Sequence, residues 1–161
     1  MAEVRQGRWT ASIDGDFVVF LIGARLQGRH PLRSLRDLGG LKRGMVGMLK
    51  YLDSQPDKGF LGWQQLGFGT VNVQYWRSFE DLERFARDED DPHLSAWRAY
   101  WKRVGRSDRT GIWHETYLVR AGEYEAIYGN MPPTGLAKAS TLVPVADSVT
   151  ARQRLKAAAR S

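Results

Sequence analysis

Two histidines stand among residue types that can do chemistry. The stretch Gly111–Tyr117 reads GIWHETY and sets His114 beside Glu115, with Trp113 and Tyr117 on either side. His93 follows the acidic run Asp88–Asp91 and Pro92 and leads into Leu94, Ala96 and Trp97. A histidine next to a carboxylate suggests a metal site or an acid–base pair. A zinc-protease helix needs a second histidine four residues after the first, and Leu118 stands there. The segment also has the composition of a strand. On a strand, Trp113, Glu115 and Tyr117 share one face while Ile112, His114 and Thr116 share the other. His114 and Glu115 therefore do not form a dyad. His114 is either a hydrogen-bonded residue of the sheet packing or a catalytic base.

His93 sits where a helix should begin. A helix start favours an uncharged imidazole, which can act as a base or as an axial haem ligand. The other reading of His93 is a cap or loop anchor. Arg25 closes a strongly apolar stretch, where an arginine pairs with a carboxylate or holds an anionic substrate or a haem propionate. Asn130 and Met131 lie in a proline-rich segment that either closes a pocket or acts as a rigid connector. Gly67 and Gly69 read as turn residues, since no phosphate-loop or dinucleotide pattern surrounds them. Three scattered histidines and no cysteine argue against zinc, and no Ser-His-Asp set or paired-carboxylate motif is visible. Chemistry is then expected from a bound organic cofactor or from a reactive substrate in an aromatic pocket.

The elements that must position these residues follow from periodicity. Phe17–Leu26, FVVFLIGARL, is apolar at both parities, as suits a central strand covered on both faces. Leu35–Tyr51 carries apolar residues at helical spacing, with Gly39, Gly40, Gly44 and Gly47 letting it lie close to a sheet or ligand. It should end at the breaker cluster Ser54–Gly59. Phe60–Phe68 and Thr70–Arg77 read as strands joined by a tight turn; Val71, Val73 and Tyr75 share one face, and Asn72, Gln74 and Trp76 the other. Ser78 is a candidate N-cap for a helix Phe79–Arg87, with Glu80 and Asp81 in its first turn. Pro92 opens a second helix, His93–Val104. Thr110–Arg120 is the fourth strand. Ala121–Tyr128 is expected to form one or two helical turns, Asn130–Gly135 a loop, and Leu136–Val143 an edge strand. After Pro144 a loosely held helix or disordered chain is expected.

The order strand, helix, strand, strand, helix, strand is that of an α+β, ferredoxin-like βαββαβ subunit: an antiparallel sheet with its helices on one face. The doubly apolar central strand then needs cover on the other face, and pairing of two copies through that face supplies it.

The chain has 161 residues, 42% of them hydrophobic and six of them tryptophan, enough for one domain with its own core. The domain is expected over residues 1–145, with a basic tail over residues 146–161. Arg152, Arg154, Lys156 and Arg160 against Asp147 place half of the net charge of +6 in that tail. No aromatic-plus-basic platform for nucleic acid accompanies it. The start MAEVRQGRWT has no apolar core of a signal peptide, and the longest apolar run is half a membrane span. A cytoplasmic protein that does not engage a membrane is expected.

Five stretches in order carry a resemblance: Gly15–Gly23 (GDFVVFLIG), Gln74–Ser78 (QYWRS), His93–Trp97 (HLSAW), Gly111–Tyr117 (GIWHETY) and Tyr128–Leu136 (YGNMPPTGL). Together they resemble the fumagillin-pathway-monooxygenase-like family of the dimeric α/β-barrel superfamily, over roughly Arg8 to Pro144. The resemblance implies a ferredoxin-like subunit that pairs sheet to sheet as a homodimer. It also implies a choice of chemistries. Relatives include cofactor-independent antibiotic-biosynthesis monooxygenases, haem-degrading monooxygenases and haem-containing aldoxime dehydratases. The run from Trp76 to His93 is similar in order to a strand tryptophan followed by a helical iron-ligating histidine. The gap is longer here, and FVVFLIGARL offers no match for the asparagine those relatives carry on the first strand.

The resulting expectation is a monooxygenase acting on a hydrophobic small organic molecule held between sheet and helices, with no metal or flavin. His93, His114 and Trp76 are the expected catalytic group. Arg25, Gln74, Trp113, Glu115, Tyr117, Asn130 and Met131 are the expected substrate-binding group. Glu115 would orient a pocket group or pair with Arg25 or Arg77. The alternatives are a haem protein with His93 as axial ligand and a non-enzymatic small-molecule-binding protein.

Overall fold

The computed structural model describes residues 3–27, 31–67, 70–105, 108–145 and 150–159. Phe68 and Gly69 of the expected hairpin turn, and residues 146–149 and 160–161 of the expected tail, lie outside these. The described elements run β1 (Arg5–Ser12), β2 (Phe17–Leu26), α1 (Pro31–Asp53), a 3-10 turn (Pro56–Lys58), β3 (Phe60–Leu66), β4 (Val71–Trp76), α2 (Phe79–Arg87) and α3 (Pro92–Val104). They continue with β5 (Thr110–Val119), β6 (Tyr128–Met131), α4 (Leu136–Ala139), β7 (Thr141–Pro144) and α5 (Ala151–Ala158).

Four strands form an antiparallel sheet in the order β3-β4-β2-β5. Taken with α1 between β2 and β3 and α2–α3 between β4 and β5, this is the ferredoxin-like arrangement. Strand parity sorts the residues as expected. Val18 pairs with Trp76 and Leu118, Phe20 with Gln74 and Thr116, and Ile22 with Asn72 and His114. These side chains face the helices, where Val18, Met48, Leu49, Leu52, Phe60, Trp76, Leu82 and Phe85 make the main core. Ser78 caps α2 by accepting from the Asp81 amide at 3.1 Å.

Two buried carboxylates lock the helices in place. Asp37 on α1 meets Arg103 of α3 at 3.3 Å and Arg109, just before β5, at 3.2 Å. Asp91, at the head of α3, accepts from Lys58 at 2.8 Å and from the Tyr51 hydroxyl at 2.7 Å. That hydrogen bond and the adjacent carboxylate push the Tyr51 phenol up, and the same carboxylate raises Lys58.

The opposite face of the sheet departs from the sequence reading. β1 was not foreseen, because RQGRWTAS shows no alternation. It forms the centre of a second sheet, in the order β6-β1-β7. That sheet and α4 bury one end of the outer face: Phe17, Val19, Leu61, Tyr75 and Val119 pack against Ala11, Ile13, Leu136, Ala137 and Tyr124. Part of the cover expected from a second copy is thus supplied by the chain itself.

Several local expectations are corrected. Residues 121–127 hold a turn and irregular chain instead of helical turns. Asn130 and Met131 belong to β6 and not to a loop, because β1 offers backbone partners: Met131 pairs with Arg5. Asn130 adopts φ 51°, a left-handed value that asparagine tolerates, while its Oδ1 accepts from the Gly7 amide at 2.9 Å. The segment 136–143 begins as α4, and strand pairing starts only at Thr141. Of the two expectations for the segment after Pro144, the described residues take the helix, α5. Thr150 and Gln153 form a capping box on α5, Arg154 pairs with Glu125, and Ala159 lies against Gly122. No helix among the described residues is long and apolar enough to cross a membrane.

Candidate functional site

A cavity of about 470 Å³ lies between the inner sheet face and the helices. The sheet contributes Phe20, Ile22, Gln74, Trp76, His114 and Thr116; α1 contributes Met45, Met48 and Leu52; α2 and α3 contribute Phe79, Leu82, Phe85, His93 and Trp97. Glu83 and Arg87 of α2 are the charged residues in its wall.

Trp76 is fully buried at the cavity wall, between Phe60 (centroids 5.0 Å) and Phe85 (5.6 Å). Its Nε1–H donates to Gln74 Oε1 at 3.1 Å. This fixes the Gln74 oxygen on the indole and leaves the amide nitrogen to donate to the Met45 thioether at 3.9 Å. A thioether is a weak acceptor, so Gln74, 4% exposed, presents a hydrogen-bond donor to whatever fills the cavity.

His93 is anchored from behind. Its Nδ1 lies 3.0 Å from the Ala86 carbonyl, which can only accept, so Nδ1 carries the proton. In the neutral ring Nε2 then holds the free lone pair. The imidazole stacks on Trp97 (6.4 Å, 12°) and leans on Phe85 (5.8 Å). Trp97 was missed as a site residue; the i, i+4 spacing from His93 along one helix was the available signal. Phe20, Met45 and Met48 were also missed, because a mixed apolar run does not announce which of its members face a cavity. His114 reaches the same chamber from β5, with its ring 5.5 Å from Phe20.

The structure thus brings together His93, His114, Trp76 and Gln74. It does not bring the other expected residues to them. Trp113, Glu115 and Tyr117 face the opposite side of β5, and Arg25, at the exposed end of β2, pairs across to Gly111. Trp113 lies over Gly23, whose Cα hydrogen faces the indole: a Cβ there would sit 2.6 Å from the ring. Glu115 accepts from the Tyr117 hydroxyl at 2.6 Å, which raises the Tyr117 phenol, and Arg77 donates instead to the Asp14 carbonyl at 2.7 Å. Neither expected arginine pairing of Glu115 is made in the described contacts. Asn130 and Met131 belong to the second sheet.

Among the described residues no group of three or more His, Asp or Glu could hold a metal ion. The donor set suits a haem at one point. An imidazole tied through Nδ1 to a carbonyl keeps Nε2 for a metal, but Arg87, the cation in the wall, already pairs with Glu83 at 2.8 Å.

An Aspergillus fumigatus protein, monooxygenase af470, is 27% identical over 89% of this chain, and the chain spans 58% of that protein's length. Two solved structures are remote likenesses. A dimeric protein of unknown function and ferredoxin-like fold from Bacteroides fragilis has TM-score 0.43, is 12% identical, and is matched over 63% of this chain and 94% of its own. A conserved protein from Bacteroides thetaiotaomicron described as a possible oxidoreductase has TM-score 0.37, is 9% identical, and is matched over 66% and 99%. The sequence profile described as Monooxygenase af470-like matches residues 17–136, from the start of β2 to the start of α4, which takes in the whole four-stranded sheet and every residue of the cavity. This chain belongs to the monooxygenase af470-like family.

Proposed function

We propose that the chain is an oxygenase that encloses a hydrophobic small organic molecule between its sheet and helices and oxygenates it without metal or flavin. The observation that carries this reading is one mainly apolar chamber of about 470 Å³ into which an anchored imidazole and a buried amide donor both converge. Small-molecule sites commonly take this form, apolar walls with a few placed polar groups. The name of the Aspergillus fumigatus relative points to the same class of reaction.

In this reading the substrate is the reductant. His93 Nε2 takes a proton from an activated methylene beside a carbonyl; His114 is the second candidate for this base. The Gln74 amide donates to the oxygen on which negative charge collects. The carbanion gives its electron pair to dioxygen. The second carbon–hydrogen bond and the oxygen–oxygen bond then break, one oxygen stays as a new carbonyl, and the other leaves as water. Phe20, Trp76, Phe85 and Trp97 exclude bulk water from the reacting carbon.

Oxygen uptake against a panel of aromatic and polyenyl ketones that carry an activated methylene, in metal-chelated and flavin-free buffer, tests the reading. Uptake with at least one compound, falling about a hundredfold or more in His93→Ala, is expected. Uptake unchanged in His93→Ala, His114→Ala and Gln74→Leu would sink it.

A homodimer belongs to the same proposal. The part of the outer sheet face that the second sheet leaves open carries Trp113 (40% exposed), Tyr117 (51%) and Leu66 (47%). A second copy of that face is the expected cover. A single-chain mass by light scattering at micromolar concentration would contradict it.

The hydrogen bond from His93 Nδ1 to the Ala86 carbonyl favours one second reading, a haem protein. His93 would hold the iron, and a haem would supply oxygen-binding chemistry. A Soret band in protein expressed with haem precursor, lost or shifted in His93→Ala, is the expected result. No band and no stoichiometric uptake on titration would end that reading.

A further inference from the structure

Asn72 lies two residues before Gln74 on β4, faces the same helices, and is 4% exposed. Its Oδ1 has no hydrogen-bond partner among the described residues. Buried acceptors in folded proteins are paired in the great majority of cases, so an unpaired one asks for a partner. It lines a recess of about 50 Å³ against α1, and Ile22 and Met45 are walls of both this recess and the large cavity. Asn72 and Gln74 therefore sit on one face of β4, about 7 Å apart along the strand, in neighbouring spaces divided by Ile22 and Met45. Their groups are complementary: Gln74 offers an N–H met only by the Met45 thioether among its described contacts, Asn72 an unpaired carbonyl oxygen.

We propose that Asn72 is a specificity-determining residue of the cavity, and that its Oδ1 accepts a hydrogen bond from a hydroxyl of the ligand. The ligand is then an apolar molecule with two oxygen functions about 7 Å apart, a carbonyl held by Gln74 and a hydroxyl held by Asn72. A hydroxylated aryl ketone has this form. The inference rests on the reading of the cavity as a small-molecule site.

The test uses three probes of one shape: benzophenone, para-hydroxybenzophenone and para-methoxybenzophenone, at a pH where the phenol is protonated. Binding to the full chain is read by quenching of tryptophan fluorescence. The wild type is expected to prefer the hydroxyl probe to the methoxy probe by about tenfold. Asn72→Leu should bring the ratio to about one while leaving benzophenone affinity unchanged or higher. Asn72→Asp, which keeps an acceptor, should retain the preference. A preference that survives in Asn72→Leu, or no preference in the wild type because water alone fills the recess, overturns the proposal. Binding of none of the three probes to the wild type is a different failure: it overturns the small-molecule reading of the cavity, and this inference with it.

Discussion

Trp76 and Gln74 stand two residues apart on one strand and are joined by a 3.1 Å hydrogen bond from the indole to the amide oxygen. That bond satisfies a buried indole and at the same time decides which end of the amide meets the cavity. Packing and recognition are therefore coupled at this pair. Trp76→Phe keeps a ring in the slot between Phe60 and Phe85 but leaves the Gln74 oxygen without its donor. A loss of about 1–3 kcal/mol in stability is expected by urea unfolding, together with weaker binding of carbonyl ligands. Wild-type affinity for such ligands in a folded Trp76→Phe protein would show that the amide is fixed by something else.

Gly23 and Trp113 form a second pair on the outer face of the sheet. A Cβ on Gly23 would meet the indole at 2.6 Å. Gly23→Ala is expected to cost about 1–3 kcal/mol through this overlap. Trp113→Ala should remove most of that cost, so a double-mutant cycle should give strong coupling. Additive effects would mean that the indole swings aside freely.

Tyr75 faces the junction of the two sheets, and burial, helped by the nearby Tyr128, pushes its phenol from 10.0 up to about 12, with a hydrogen bond from the Leu136 backbone working the other way. Because the folded state holds this proton more tightly than the unfolded chain, the contribution to stability is fully present below pH 10. It is lost as the pH rises through about 12. Unfolding midpoints between these limits should fall less steeply with pH in Tyr75→Phe than in the wild type, and equal slopes would contradict the assignment.

Gly122 has φ 76°, and a Cβ there would lie 2.4 Å from Ala159 Cα in the backbone after α5. Gly122→Val should therefore push α5 off the domain. Trypsin is expected to cut at Arg152, Arg154 and Lys156 about tenfold faster, since cleavage follows the population of the opened form, while the sheet core stays resistant. Unchanged cleavage would show that the contact does not hold the helix.

Much of the fold could be read from the sequence. FVVFLIGARL, apolar at both parities, belongs to a central strand whose inner face meets the helices and whose outer face is covered at one end, and Ser78, Pro92 and the breakers around Gly59 mark helix limits through local backbone chemistry alone. Parity on β4 and β5 sorted Gln74, Trp76 and His114 onto one face and Trp113, Glu115 and Tyr117 onto the other. Those assignments depend on near neighbours in the chain, which is why the residues themselves carry them. The second sheet depends on contacts across more than a hundred residues, such as Gly7 with Asn130, and RQGRWTAS has no periodicity of its own to announce them. The same limit applies to the site. Sequence could name His93 and Trp76, but only the tertiary structure decided that they share a chamber with His114 and Gln74, that Trp113 and Glu115 lie across the sheet from it, and that the Asn72 oxygen, in the neighbouring recess, has no partner among the described residues. A cavity is the space between elements, and its walls are chosen by how those elements pack.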